Sequence, residues 1–148
     1  MLQDKSLDEL RAKIDQIDDA VHDLLIHRAE ITRSIARAKQ PDGVGPALAP
    51  AMRPAREAQI LRRLLARHRG LLPKRFILRI WREIIAASLQ LQASFQLHVY
   101  SGDNKQGFSD LALAYFGSLT PMKSHTRASL VVHAVAEEPN SLGIVPLP

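Results

Sequence analysis

The sequence predicts a mostly α protein: helices over residues 1–94 and a short α/β segment over residues 95–148. Two features point to it. Through the first part, apolar residues recur at alternating three- and four-residue spacing, the period of an α-helix. After Ser94 the pattern changes to short alternating runs separated by glycine turns, as in successive strands and helices.

The first helix opens on Ser6-Leu7-Asp8-Glu9, a capping box with Ser6 as N-cap and Glu9 at the third helical position. Leu7, Leu10, Ile14, Ile17, Val21, Leu24, Ile31 and Ile35 then form one seam, with a single break, up to Gln40-Pro41. That is roughly 34 residues, or about 50 Å at 1.5 Å per residue. No later helix is nearly as long. Part of the seam would stay uncovered in one chain, so two chains are expected to pair along it.

Residues 41–53 (PDGVGPALAPAMR) carry three prolines and two glycines and predict a loop. Pro54 suits the first turn of a second helix ending near Gly70, with Ile60, Leu61, Leu64 and Leu65 as its apolar stripe. Pro73 opens a third helix running to about Ala93, with Ile77, Ile80, Trp81, Ile84, Ile85 and Leu91 inward.

Beyond it, Phe95–Tyr100 alternates as a strand, GDNKQG makes a turn, and Phe108–Phe116 reads as a helix stopped by Gly117. Thr126–Ala136 is a second helix and Leu142–Val145 a second strand. Fifty-odd residues are few for a stable α/β unit, so this segment is expected to be an incomplete part of a larger one.

Composition narrows the chemistry. There is no cysteine, which excludes disulfides, thiolate zinc sites and a cysteine nucleophile. No apolar run reaches the ~18 residues of a membrane span. The opening MLQDKSLDEL has no apolar signal core, so the cytoplasm is the expected compartment. The net charge of +5 is uneven: residues 1–94 hold 17 Lys and Arg against 11 Asp and Glu, and the remainder 3 against 4. The helical part should attract an anion. The six histidines (22, 27, 68, 98, 125, 133) show no metal spacing. Gly102-x4-Gly107 is followed by Phe108-Ser109 in place of a phosphate-loop lysine, and no nucleophile elbow occurs. Neither cofactor nor metal is expected.

Three places break their local pattern. Arg28 occupies the seam between Val21 and Ile35. A guanidinium buried on an aliphatic stripe needs an anionic partner, either a ligand or a register-setting ion pair, unless the side chain snorkels out to solvent. Lys39 lies about 20° from Arg28 around the helix and roughly 16 Å along it, so the two side chains can converge on one small molecule. Arg11 is about 25 Å from Arg28 on the same axis and could share a ligand with it only across an antiparallel dimer. Taken singly, each flanking charge is more often a solvated residue.

In the third helix Trp81, Ile85, Ser88 and Gln92 form one row whose last two members are polar and one turn apart. They can touch one object, or mark the helix leaving the core. Arg56-Glu57 opens the second helix, where Glu57 also suits the helix dipole. Arg62, Arg63, Arg67, Arg69, Lys74, Arg75, Arg79 and Arg82 form the densest basic stretch. It has no interleaved aromatics and no recognition-helix motif, so it reads mainly as a solvated face, with neither nucleic acid nor membrane as partner.

These residues, in this order, resemble the all-helical (AroQ-type) chorismate mutase family. The matching stretches are LDELRAKIDQIDDAVHDLLIHRAEITRSIARAK, PAREAQIL and ILRIWREIIAASLQLQ, about residues 6–93. The resemblance implies a three-helix fold in an intertwined homodimer with two active sites, each built from both chains. It implies the rearrangement of chorismate to prephenate, a step towards phenylalanine and tyrosine that needs no nucleophile or metal. Carried over, Arg28 and the other chain's Arg11 would clamp the carboxylates, and Lys39 and Gln92 would donate to the ether oxygen. Glu57 would hold the ring hydroxyl, with Ser88 and Arg56 lining the pocket. The family often has an acidic residue three positions before the Arg-Glu pair, where this chain has Arg53, and the loop before Arg56 is long here.

The tail stretches SGDNKQGFSDLALAYFG and LGIVPLP are similar to the first half of prephenate dehydratase domains. That family's catalytic Thr-Arg-Phe motif does not occur here, so a fused, incomplete dehydratase-like module without dehydratase activity is implied. Two other functions fit the same residues less well. An isochorismate pyruvate lyase would use similar cations on a similar substrate, but Glu57 is an acceptor suited to chorismate's C4 hydroxyl. A non-catalytic module, either regulatory or a basic nucleic-acid binder, would rest on the net charge and on Arg53.

Overall fold

The computed structural model of the chain describes residues 6–39, 52–102 and 107–146. Three helices come first: α1 (Leu7–Lys39), α2 (Pro54–Arg67) and α3 (Lys74–Gln92). Then follow β1 (Gln96–Tyr100), α4 (Gly107–Phe116), β2 (Met122–His125), α5 (Ala128–Glu137) and β3 (Ser141–Ile144).

The start of α1 is held reciprocally, as its capping box predicts. Ser6 N–H donates to Glu9 Oε2 at 3.1 Å, and Glu9 N–H donates to Ser6 Oγ at 3.3 Å. Pro54 and Pro73 stand at the starts of α2 and α3. α2 ends at Arg67, short of Gly70. Side chains there take over carbonyls the helix leaves free: Arg69 Nη1 donates to Ala66 O at 2.8 Å and His68 O at 3.1 Å. The expected loop over 41–53 lies outside the described residues except for Met52 and Arg53, as does much of the GDNKQG turn.

α1 packs chiefly on α3, while α3 also meets α2 and α4. The α1 seam is therefore bare over most of its length: Ile14, Ile17 and Leu24 are 58%, 60% and 67% exposed. The one buried residue of α1 is Thr32, whose Oγ1 donates to Arg28 O at 3.0 Å.

Residues 95–146 form a three-stranded parallel sheet in the order β2-β1-β3. Leu97 is opposite Met122 on one side of β1 and Leu142 on the other. β2 has no counterpart in the sequence reading. Its residues, Met-Lys-Ser-His, are mostly polar because it is an edge strand, half-exposed, and carries no alternating apolar signal. The neighbouring elements sit one or two residues from their expected bounds, with α5 at 128–137 and β3 at 141–144.

The central strand is buried at Leu97, His98 and Val99, as parallel sheets covered on both faces require. His98 is the polar exception and is fully satisfied: Nδ1 lies 2.9 Å from His125 Nε2, and Nε2 lies 3.2 Å from Glu138 Oε2. The core does not stop at Ser94. It runs from Leu89 on α3 through Phe95, Leu97 and Val99 to Ala112 on α4.

Candidate active site

Near the last turns of α1 and α3, beside the first turn of α2, lies a cavity of about 340 Å³. α1 contributes Arg28 and Lys39, α2 contributes Arg56 and Glu57, and α3 contributes Ser88 and Gln92. Six of the seven residues singled out in the sequence thus meet in one place. Its apolar walls are the seam residues Ile31 and Ile35, with Ile60, Ile85 and Leu89.

Arg28 does not find a carboxylate in the protein: among the described residues none lies within ion-pair distance of it. Its Nη1 donates instead to Ser88 Oγ. Burial pulls the Arg28 pKa below its ordinary value, though a guanidinium stays protonated at any physiological pH. The charge is held, partly desolvated, against a neutral hydroxyl. Ser88 Oγ in turn donates to Ile84 O at 2.7 Å, so its proton is directed away from the cavity.

Lys39 Nζ donates to Gln92 Oε1 at 3.0 Å, and this orients the amide. Gln92 Nε2 then reaches Ser88 O at 3.4 Å with one of its two hydrogens. Lys39 keeps two further donors and Gln92 one. Glu57 is half-buried, and desolvation raises its carboxyl pKa above the ordinary value.

The cavity also includes Arg53. Four cations, Arg28, Lys39, Arg53 and Arg56, therefore face one carboxyl. That set suits a small polyanion. It holds no histidine base, and its two hydroxyls, Thr32 and Ser88, both donate to backbone carbonyls, so the arrangement favours charge stabilisation over nucleophilic attack.

Arg11 is elsewhere. It is 66% exposed near the other end of α1 and pairs with Asp8 at 3.3 Å. Thr32 went unmarked in the sequence; its position one turn after Arg28 was the available signal. Of the basic stretch, Arg82 departs from a solvated face. It stacks on the Tyr115 ring with its guanidinium carbon 4.3 Å from the centroid. Among the described residues no three His, Asp or Glu are placed to hold a metal ion, and no helix is long and apolar enough to cross a membrane.

Residues 10–93 match the family described as chorismate mutase type II. Curated relatives named bifunctional chorismate mutase/prephenate dehydratase align with nearly the whole chain. The protein from Stutzerimonas stutzeri is 28% identical over 147 residues, covering 99% of this chain and 40% of the relative. That from Pseudomonas aeruginosa is 28% identical over 148 residues, with the same coverage. The Aquifex aeolicus protein is 32% identical over 117 residues, 76% of this chain and 31% of its own length. The chain spans about 40% of the length of the first two relatives.

Proposed function

The chain belongs to the chorismate mutase type II family, and we propose on that footing that its helical part converts chorismate to prephenate. The observation that supports this best is the convergence of Arg28, Lys39, Ser88 and Gln92, with Glu57, on one cationic cavity. The substrate is a dicarboxylate whose ether oxygen gains negative charge as its bond to the ring breaks. The rearrangement is intramolecular, so the protein has two tasks: to hold the flexible side chain over the ring, and to stabilise that oxygen.

In this reading the desolvated Arg28 takes a substrate carboxylate, its fork matching the two oxygens. The spare donors of Lys39 and Gln92 meet the ether oxygen. Glu57 accepts from the ring hydroxyl, and Ser88 and Arg56 orient the substrate. The second carboxylate falls to Arg11 of the partner subunit in an intertwined homodimer. The bare α1 seam supports that dimer, because about ten large apolar residues along α1 stay exposed in one chain.

Residues 1–94 form the mutase domain in this reading. Residues 95–148 correspond to the opening of a dehydratase-like module, which is supported by relatives whose alignment runs through the tail. The compartment is the cytoplasm. Rates on the two candidate substrates test the activity. The reading expects prephenate from chorismate, faster than any pyruvate from isochorismate; the reverse order would replace it with a pyruvate lyase.

A further inference from the structure

The C-terminal segment grips α3 through residues outside the cavity lining, and the grip centres on Glu83. Ser118 N–H donates to Glu83 Oε1 at 3.0 Å and Oε2 at 2.9 Å, and Ser118 Oγ donates to Oε2 at 3.1 Å. One residue earlier, Gly117 has φ +90°, and a Cβ there would lie 2.5 Å from Ala86 Cβ. Only glycine lets the turn after α4 come this close to α3. Arg82 stacks on Tyr115 and donates to Ala114 O at 3.5 Å. Further along, Gln90 Nε2 donates to Phe95 O at 2.9 Å.

At 100° per residue, Arg82, Glu83, Ala86 and Gln90 share one arc of α3, and Trp81, Ile85, Ser88 and Gln92 share another about 140° away. A turn of the helix by roughly 15° would carry side-chain ends about 1.5 Å sideways. On the cavity side, α3 is tied to α1 by the Arg28–Ser88 and Lys39–Gln92 hydrogen bonds. A bound anion competes for those same cations. The contacts with the C-terminal segment are free of that competition.

We infer that Glu83, through Ser118, is a positioning residue: it fixes the rotation of α3 and so the placement of Ser88 and Gln92 when the site is occupied. This rests on the mutase reading above, and it makes the C-terminal segment part of the mutase.

The test compares the wild-type chain, Glu83→Ala, Glu83→Asp and Glu83→Gln by chorismate turnover and by the NMR signals of the Gln92 side-chain amide. Alanine removes the acceptor and aspartate is too short to reach Ser118, so both should lower kcat about tenfold or more per folded protein and shift the amide signals. Glutamine keeps an acceptor oxygen and should restore much of the rate. Aspartate reads the same loss if the alanine variant folds poorly. A kcat within about twofold of wild type in a folded variant lacking the contact, or unmoved amide signals, would overturn the inference. A wild type inactive on chorismate would sink the mutase reading instead, and the amide signals would still report whether Glu83 sets α3.

Discussion

Lys39 on the last turn of α1 donates to Gln92 on the last turn of α3 across 3.0 Å, joining residues 53 apart in sequence. The contact fixes which end of the amide faces Lys39 and leaves donors on both side chains for one shared acceptor.

Removing either donor should therefore cost transition-state stabilisation more than ground-state binding. Lys39→Ala and Gln92→Ala are each expected to lower kcat by about 10²–10³, the usual effect of losing one preorganised donor to a developing oxyanion. Steady-state kinetics on chorismate would show it. Losses confined to KM would mean that the two groups act only in binding.

Glu57 gives a pH signature. Burial raises its pKa, so the folded state holds this proton more tightly than the unfolded chain does. Its contribution favours folding at low pH and is lost as pH rises from the ordinary carboxylate range through the raised value. Glu57→Gln should therefore melt higher than wild type at pH 7, with the gap closing as pH falls to 4. The same variant should lose activity, since an amide is a poorer acceptor for the ring hydroxyl. Melting curves at several pH values decide the sign.

Arg11 and Arg28 can be tested as residues of one shared site. Arg11→Ala and Arg28→Ala should each be nearly inactive. Refolded together in equal amounts, they should recover about a quarter of wild-type activity, because half the dimers pair unlike chains and each of those holds one intact site. No recovery from mixed dimers would contradict the sharing of a site between chains, and an active Arg11→Ala would place Arg11 outside the site.

Arg53 is an exposed cation on the cavity wall and should act through its field alone. Arg53→Ala is expected to raise KM roughly two- to fivefold with kcat little changed, in keeping with the small effect of one solvated charge. The increase should shrink as salt is added.

Much of this was legible in the sequence where a residue contradicts its own periodic pattern. Arg28 stands out because every other seam position around it is aliphatic, and Ser88 and Gln92 because they extend an apolar row. The starts of α1, α2 and α3 were equally plain, because Ser6-x-x-Glu9, Pro54 and Pro73 act locally. What escaped depends on distant partners. β2 is four mostly polar residues made a strand by β1 beside them. Arg82 and Glu83 sit within a basic stretch that looks solvated until the C-terminal segment folds back against it. Arg11 is exposed within a single chain, and in the proposed dimer the group it meets belongs to a second copy.

Disappearance of chorismate, with prephenate identified as product, should be followed for the purified chain and for Arg28→Ala, with the oligomeric state of both checked by sedimentation. Rapid conversion by a dimeric wild type, lost by orders of magnitude in an equally dimeric variant, is the expected result. Equal rates in the two proteins would remove Arg28 from the site, and no conversion by a well-folded wild-type dimer would contradict the mutase reading itself.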